Sequence, residues 1–329
     1  MSMTRRRTLL ALGAGLALSL GAPLAQAQES SKAVIRILVG LPAGGGTDAI
    51  ARYFAEQLRS ELGQPVIVDN RPGVGGRLAA DALAKAAPDG LTYMIAPNAT
   101  PTFQTLVFGH QLKWDLWRDF APVAGLVSYP IGLAAANNLK IGNANEFVAW
   151  ARANPTQASF GTAGLGGQTH FLGVQFGKVA GIDLQPTPYK GTPPMMNDLL
   201  GGHIPAGIAL IESLAAQHRA GTLKLLGVFT AKRSPLLPDV PTLAEQGYDV
   251  TLGDAWTAMW APAKTPQAEL DRMQQALGRI LARPEVGEYL RTQLTVVPRY
   301  LNARAMAEEQ RKELAAWAPI IKATGFKPE

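Results

Sequence analysis

Three consecutive glycines, Gly44-Gly45-Gly46, stand between an apolar, β-branched run, Val34 to Val39, and a helical stripe of Ile50, Phe54, Leu58 and Leu62. The run is too short for a helix and reads as a strand. The stripe recurs at every fourth position and stops at Gly63, a residue suited to the left-handed conformation past a helix C-terminus. A strand, a glycine turn and a helix therefore follow directly on one another. That order places free backbone N–H groups and the positive end of a helix dipole at one point, with no side chains in the way of an oxyanion. Two readings follow: an anion site, best suited to a carboxylate, or a tight turn that needs glycine only for a positive φ. No Lys follows the glycines and the G-x-G-x-x-G spacing is missing, which argues against a triphosphate or a dinucleotide.

The first residues carry a different signal. Arg5, Arg6 and Arg7 precede an apolar stretch from Leu9 to Leu20 and a small-residue ending Ala25-Gln26-Ala27. This is the pattern of a secretory signal over 1–27, cleaved after Ala27 and directing the chain to the periplasm. The arginines fit a twin-arginine signal, and a Sec signal accommodates them too. A membrane anchor is disfavoured, because the apolar run falls short of the roughly 20 residues a bilayer span needs. Removing the segment lowers the formal charge from +6 to +3, with 28 basic against 25 acidic residues left. No basic face then remains to argue for nucleic acid. The chain has no cysteine, which excludes disulfides, thiolate nucleophiles and Cys-ligated metal.

Along the rest of the chain, short apolar runs alternate with helical patterns, the signature of α/β layers with mostly parallel strands. Strands are expected at Pro65 to Val68, Leu91 to Ala96, Ala158 to Thr162, Ala206 to Leu210 and Leu223 to Thr230. Helices are expected near Gly76 to Ala87, Asn145 to Ala153, Thr169 to Val179 and Pro194 to Leu200. A second glycine-rich segment, Asp69 to Gly76, follows the second strand and offers another wall at the edge where open α/β sheets bind ligands. The stretch Gly161 to Thr169 repeats the strand, glycine turn and helix order of the first turn. Here Thr162, Gln168 and Thr169 add neutral donors. After the strand Trp256 to Trp260 only helices are expected, near Gln267 to Ala282, Glu285 to Gln293 and Ala303 to Ala323. Those helices need a sheet to pack on, which implies two crossovers, near Ala124 to Pro130 and Asp254 to Ala261. The last helices then return to the first unit, as in a hinged clamp.

These segments resemble, in order, the signatures of the periplasmic substrate-binding proteins of tripartite tricarboxylate transporters, the Bug-type receptors. The resemblance rests on Pro42 to Asp48 with Ala51-Arg52, Asp69 to Gly76, Pro88 to Thr92, Gly161 to His170, Pro188 to Gly191 and Leu237 to Thr242. It implies an α/β, two-lobed periplasmic binding protein of the type II, Venus-flytrap kind with two crossover strands. Lobe 1 would comprise 28–127 and 254–329, and lobe 2 would comprise 128–253. It implies a small organic carboxylate as ligand, held by backbone N–H groups, water and hydroxyls rather than by an arginine clamp. The partners would be the membrane permease subunits of such a transporter, and the receptor would be a monomer.

The residues expected to line the site are Leu41, Ala43, Gly44, Gly45, Gly46, Thr47, Asp48 and Asn70 in lobe 1. In lobe 2 they are Thr162, Ala163, Gly164, Gly166, Gln168, Thr169, His170 and Tyr189. Leu41 stands where the family usually has an aromatic residue, and Gly161-Thr162-Ala163-Gly164 replaces a serine-proline-glycine form, so ligand identity does not carry over. Asp48 has two readings, a helix N-terminal charge and an acceptor for a ligand amine, hydroxyl or water. His170 is read either as a ligand donor or as the end of a turn. No cofactor or metal is expected: no G-x-S-x-G elbow and no H-x-x-H or H-E-x-x-H spacing is present, and the remaining histidines are His110, His203 and His218. A sensing role uses the same clamp as a transport role, and a secreted hydrolase is the remaining alternative.

Overall fold

The computed structural model describes residues 33–250 and 254–326. The signal segment 1–27 and its cleavage point lie outside the described residues. The first half of the chain builds β1 (Ile35–Val39), α1 (Gly46–Leu62), β2 (Val66–Asn70), α2 (Arg77–Ala84), β3 (Thr92–Pro97), α3 (Gln104–Phe108), α4 (Leu116–Asp119) and β4 (Phe120–Tyr129). Helix α1 forms for the reason its stripe suggests. Ile50, Phe54 and Leu58 are buried, and Gly63 ends the helix at φ 56°, where glycine carries no Cβ penalty.

The apolar stretch from Val123 to Ala136 is not one strand. Pro130 divides it into β4 and β5 (Ile131–Ala136), and these belong to different sheets. The second sheet is completed by β6 (Ser159–Thr162), β7 (Gln185–Pro188), β8 (Ala206–Leu210) and β9 (Leu223–Val228), with α5 (Ala144–Ala153), α6 (Gln168–Ala180), α7 (Thr192–Leu200) and α8 (Ile211–Arg219) between them. The chain then returns through β10 (Ala255–Pro262) to the first sheet, and continues as α9 (Gln267–Leu281), α10 (Pro284–Thr292), β11 (Val297–Asn302) and α11 (Ala303–Ala323).

The strand order is β11-β4-β10-β3-β1-β2 in the first sheet and β7-β6-β8-β5-β9 in the second. Strands β1, β2 and β3 are parallel, as are β6, β7 and β8, whereas β4, β5, β10 and β11 pair antiparallel with their neighbours. The sheets are therefore mixed, with the antiparallel members supplied by the crossing strands. The crossings are joined by a buried hydrogen bond of 2.8 Å between the hydroxyls of Tyr129 and Thr257. The result is a two-lobed α/β fold with one sheet per lobe.

Strand β11 corrects the expectation that only helices follow β10. Pro298 interrupts its apolar run, and a proline is tolerated on an edge strand because its missing N–H faces outward. The strand sits at that edge, beside β4. Helices α9 and α10 pack on the first core through Met273, Leu277, Ile280, Val286 and Leu290. Helix α11 does so over its first half, with Leu314 beside Met306. Met306 joins the first lobe's packing, whereas Trp317 and Ile321 belong to the second lobe's core. A helix of 21 residues is about 30 Å long, enough to reach from one lobe to the other.

Candidate functional site

Both glycine turns lie at the carboxyl ends of parallel strands, β1 and β6, and each leads into the first residue of a long helix, α1 and α6. In lobe 1, Ala43, Gly44, Gly45 and Gly46 are exposed, Leu41 packs against the first core, and Thr47 and Asp48 are buried. Gly44 has φ 83° and requires glycine. Gly46 does not: it is the first helical residue, with a φ outside the left-handed region. Neither Gly45 at the N-cap nor any other N-cap side chain closes the start of α1.

The carboxylate of Asp48 holds this turn together. Its Oδ2 accepts from the Gly44 N–H at 2.8 Å and from Arg52 Nε at 2.9 Å, and its Oδ1 accepts from Asn70 Nδ2 at 2.8 Å. Burial works to raise its pKa, but the hydrogen bonds from Arg52, Gly44 and Asn70 prevail and hold it below the usual carboxylate range. Asn70 also donates to the Leu41 carbonyl at 3.2 Å and accepts from Arg52 Nη2 at 3.0 Å. Both oxygens of Asp48 are thus engaged by lobe 1 itself, as is Asn70. Arg71 is engaged too, through its pair with Asp69 at 2.9 Å. The backbones of the first and second glycine segments touch: a Cβ at Gly40 would stand 2.5 Å from the Cα of Gly76, so neither place admits a side chain.

In lobe 2 the corresponding turn is built from neutral groups. The hydroxyls of Thr162 and Thr169 are 2.7 Å apart, and the Thr162 carbonyl accepts from the N–H groups of Gly164 and Tyr189. Gly164 and Gly166 take φ 107° and 78°, and Ala163 between Thr162 and Gly164 is exposed. His170 is buried, and its Nδ1 accepts from the Gly166 N–H at 3.2 Å. Burial lowers its pKa, so the ring is neutral and closes the turn. Phe326 packs edge-on against both His170 and Phe171. Tyr189 is drawn away to α7, where its hydroxyl donates to Asp198 at 2.7 Å, and burial followed by that bond pushes its pKa up to about 12.

Besides the packing of Phe326 on lobe 2, two further contacts bring polar groups together beside the turns. Asn98, just past β3, donates through Nδ2 to Gln168 Oε1 at 3.4 Å and to Glu313 Oε1 of α11 at 2.5 Å. Burial pushes the Glu313 carboxyl up to about 7 against the lowering effect of that bond, and its Oε2 is buried without a partner. The second contact places Glu212 of α8 opposite Gly46, since a Cβ on that glycine would lie 3.9 Å from Glu212 Oε1. A cavity of about 240 Å³ opens between Gly75, Arg77, Gln104 and Phe108 of lobe 1 and Leu165 to Gly167 of lobe 2. Another, of about 420 Å³, lies beside the crossing strands near Ser128, Asp254 and Arg299 and holds none of the predicted residues.

Asn98, Glu212 and Glu313 were not among the predicted site residues. Asn98 directly follows β3 and Glu212 lies two residues past β8, at the edge where open α/β sheets bind ligands, so their position carried a signal. Glu313 carried none, because it sits within an ordinary amphipathic helix.

Two lobes joined by crossing strands, each offering a glycine turn and an open helix start, define a solute-binding receptor of the periplasmic type. The chain belongs to the tripartite tricarboxylate transporter receptor family, whose model matches residues 50–326. It is similar to the periplasmic binding protein BugD, with 30% identity and a TM-score of 0.74 over 90% of this chain and 99% of that one. It is also similar to Rpa4515 of R. palustris, solved with adipate, with 28% identity and a TM-score of 0.78 over 90% and 98% of the two chains. MatC from Rhodopseudomonas palustris, solved with bound malate, shares 27% identity and a TM-score of 0.72 over 88% and 98%. The family consists of receptors rather than enzymes. No helix among the described residues is long and apolar enough to cross a membrane, and no metal-binding group of His, Cys, Asp and Glu occurs among them.

Proposed function

We propose that this receptor binds a small organic carboxylate between its lobes in the periplasm, as a monomer, and delivers it to the membrane permease subunits of a tripartite tricarboxylate-type transporter. The lobes in this reading are 28–127 with 254–329, and 128–253, closing about the two crossings. The observation that carries it is the pairing of helix starts that no side chain caps, those of α1 and α6, with arginines that are already engaged. Arg52 is bound to Asp48 and Asn70, and Arg71 to Asp69. Charge on a ligand would then be met by N–H groups and helix dipoles. The adipate and malate held by similar proteins support the ligand class.

Thermal unfolding of the mature protein against a set of organic acids, sugars, phosphate and amino acid amides tests the proposal. An acid at 100 times its Kd stabilises the folded state by about 2.7 kcal/mol. Stabilisation by the other classes and by no acid overturns the reading.

A further inference from the structure

Glu212 is the second residue of α8 and stands at the cleft end of lobe 2. Its Oε1 lies 3.9 Å from the place a Cβ would occupy on Gly46, at the open start of α1. Burial alone shifts its carboxyl, upward; no ion pair with Lys, Arg or His is formed by it among the described residues. Glu212 is half-buried, and a carboxyl partly withdrawn from water gains from a hydrogen-bond donor, which a ligand in the cleft can supply. The dipole of its own helix offsets only a small part of the cost of that withdrawal.

The position has a consequence for what the cleft accepts. A ligand carboxylate on the Gly46 and Thr47 N–H groups would sit beside the Glu212 carboxyl, and like charges at that separation repel. The repulsion becomes an attraction when a hydrogen-bond donor lies between the two. In a 2-hydroxy or 2-amino acid, the hydroxyl or ammonium group is on the carbon next to the carboxylate, where it reaches both.

We infer that Glu212 is a specificity-determining residue, accepting a hydrogen bond from a hydroxyl or ammonium group beside the ligand carboxylate, so that the receptor prefers 2-substituted acids to plain ones. The inference rests on the carboxylate-receptor reading above. It adds a requirement which that reading lacks.

Calorimetry on matched acids tests it: succinate, malate and aspartate, then glutarate, 2-hydroxyglutarate and glutamate, with adipate as a longer plain acid. The substituted acids should bind the wild-type protein at least about tenfold more tightly than their plain parents. Malate against aspartate tells whether the donor is a hydroxyl or an ammonium group. Glu212→Gln should remove most of the preference by weakening the substituted acids while leaving the plain ones unchanged or tighter. Glu212→Asp, one methylene shorter, should narrow the preference and serves where the glutamine variant does not fold. Plain acids that bind as tightly as their partners overturn the inference, as does an equal loss for all acids in Glu212→Gln. Binding of adipate with no substituted acid overturns the inference alone. Binding of no acid at all overturns the carboxylate reading itself.

Discussion

The two glycine turns have the same backbone plan and opposite chemistry. The lobe 1 turn is tied by a charged group, Asp48, whose oxygens reach Gly44, Arg52 and Asn70. The lobe 2 turn is tied by two threonine hydroxyls and a neutral imidazole. Hydrogen bonds to an ionised group are about twice as strong as neutral ones. Lobe 1 therefore presents the firmer wall. Lobe 2 presents a softer one, and it leans on Phe326 from the far end of the chain. In a hinged receptor such a division would let one wall form before the ligand arrives and the other adjust on closing.

The largest expected effect breaks the firm side of this comparison. Asp48→Ala removes the buried carboxylate to which Gly44, Arg52 and Asn70 all donate and should cost about 4 kcal/mol of stability. Urea unfolding measures it. Because the folded pKa of Asp48 is depressed, the wild-type advantage is present above the unfolded value near 4 and shrinks as pH falls through the folded one. A loss under about 1 kcal/mol would mean that the turn does not depend on its charge.

Next comes the buried contact of Asn98 with Gln168 and Glu313. The Glu313 carboxyl, raised by burial to about 7, is protonated in the folded state over a range where the unfolded chain is ionised. Its contribution therefore falls as pH rises from near 4.5 to 7, and the wild type carries a penalty of about 3 kcal/mol at pH 8 that is absent at pH 4. Glu313→Gln keeps an acceptor for Asn98 and should raise the unfolding temperature at pH 8 but not at pH 4. An equal change at both values would show that the carboxyl does not titrate in this range.

Gly46→Val tests the open helix start. The penalty is steric, since the glycine is helical and a branched side chain would fill the space toward Glu212. Ligand affinity should fall about a hundredfold, near 2.7 kcal/mol, with folding confirmed by circular dichroism. In the softer turn, Thr169→Val removes one neutral hydrogen bond to Thr162 and should cost about 1 kcal/mol of stability in the same urea assay. A loss as large as that of Asp48→Ala would erase the difference between the turns. The smallest effect belongs to Arg52→Ala. Its side chain is 55% exposed and paired with Asp48, so affinity measured by calorimetry should change less than tenfold, about 1.4 kcal/mol. A hundredfold loss would place the ligand's charge on an arginine.

What was legible in the chain was local. The Val34 to Val39 run, the stripe through Ile50, Phe54 and Leu58, and the stop at Gly63 each depend on neighbours within a turn or two, and β1 and α1 follow from them. The two glycine turns were legible for the same reason, together with the family they signal. The single apolar stretch around Pro130 showed that the chain crosses but not that it breaks into two strands of different sheets. The edge strand β11 was hidden by its proline, because only its place beside β4 makes that residue acceptable.

The groups that face one another across the cleft belong to the tertiary structure. Asn98 meets Gln168 and Glu313 across 70 and 215 residues of chain, and Glu212 meets Gly46 only because β8 and β1 end at the same gap. Periodicity and turn chemistry act through neighbouring residues and set each helix and strand by themselves. The burial of Glu313 and the meeting of Glu212 with an open helix start arise only when two lobes and a bridging helix are packed together. A carboxyl's solvation is a property of everything around it.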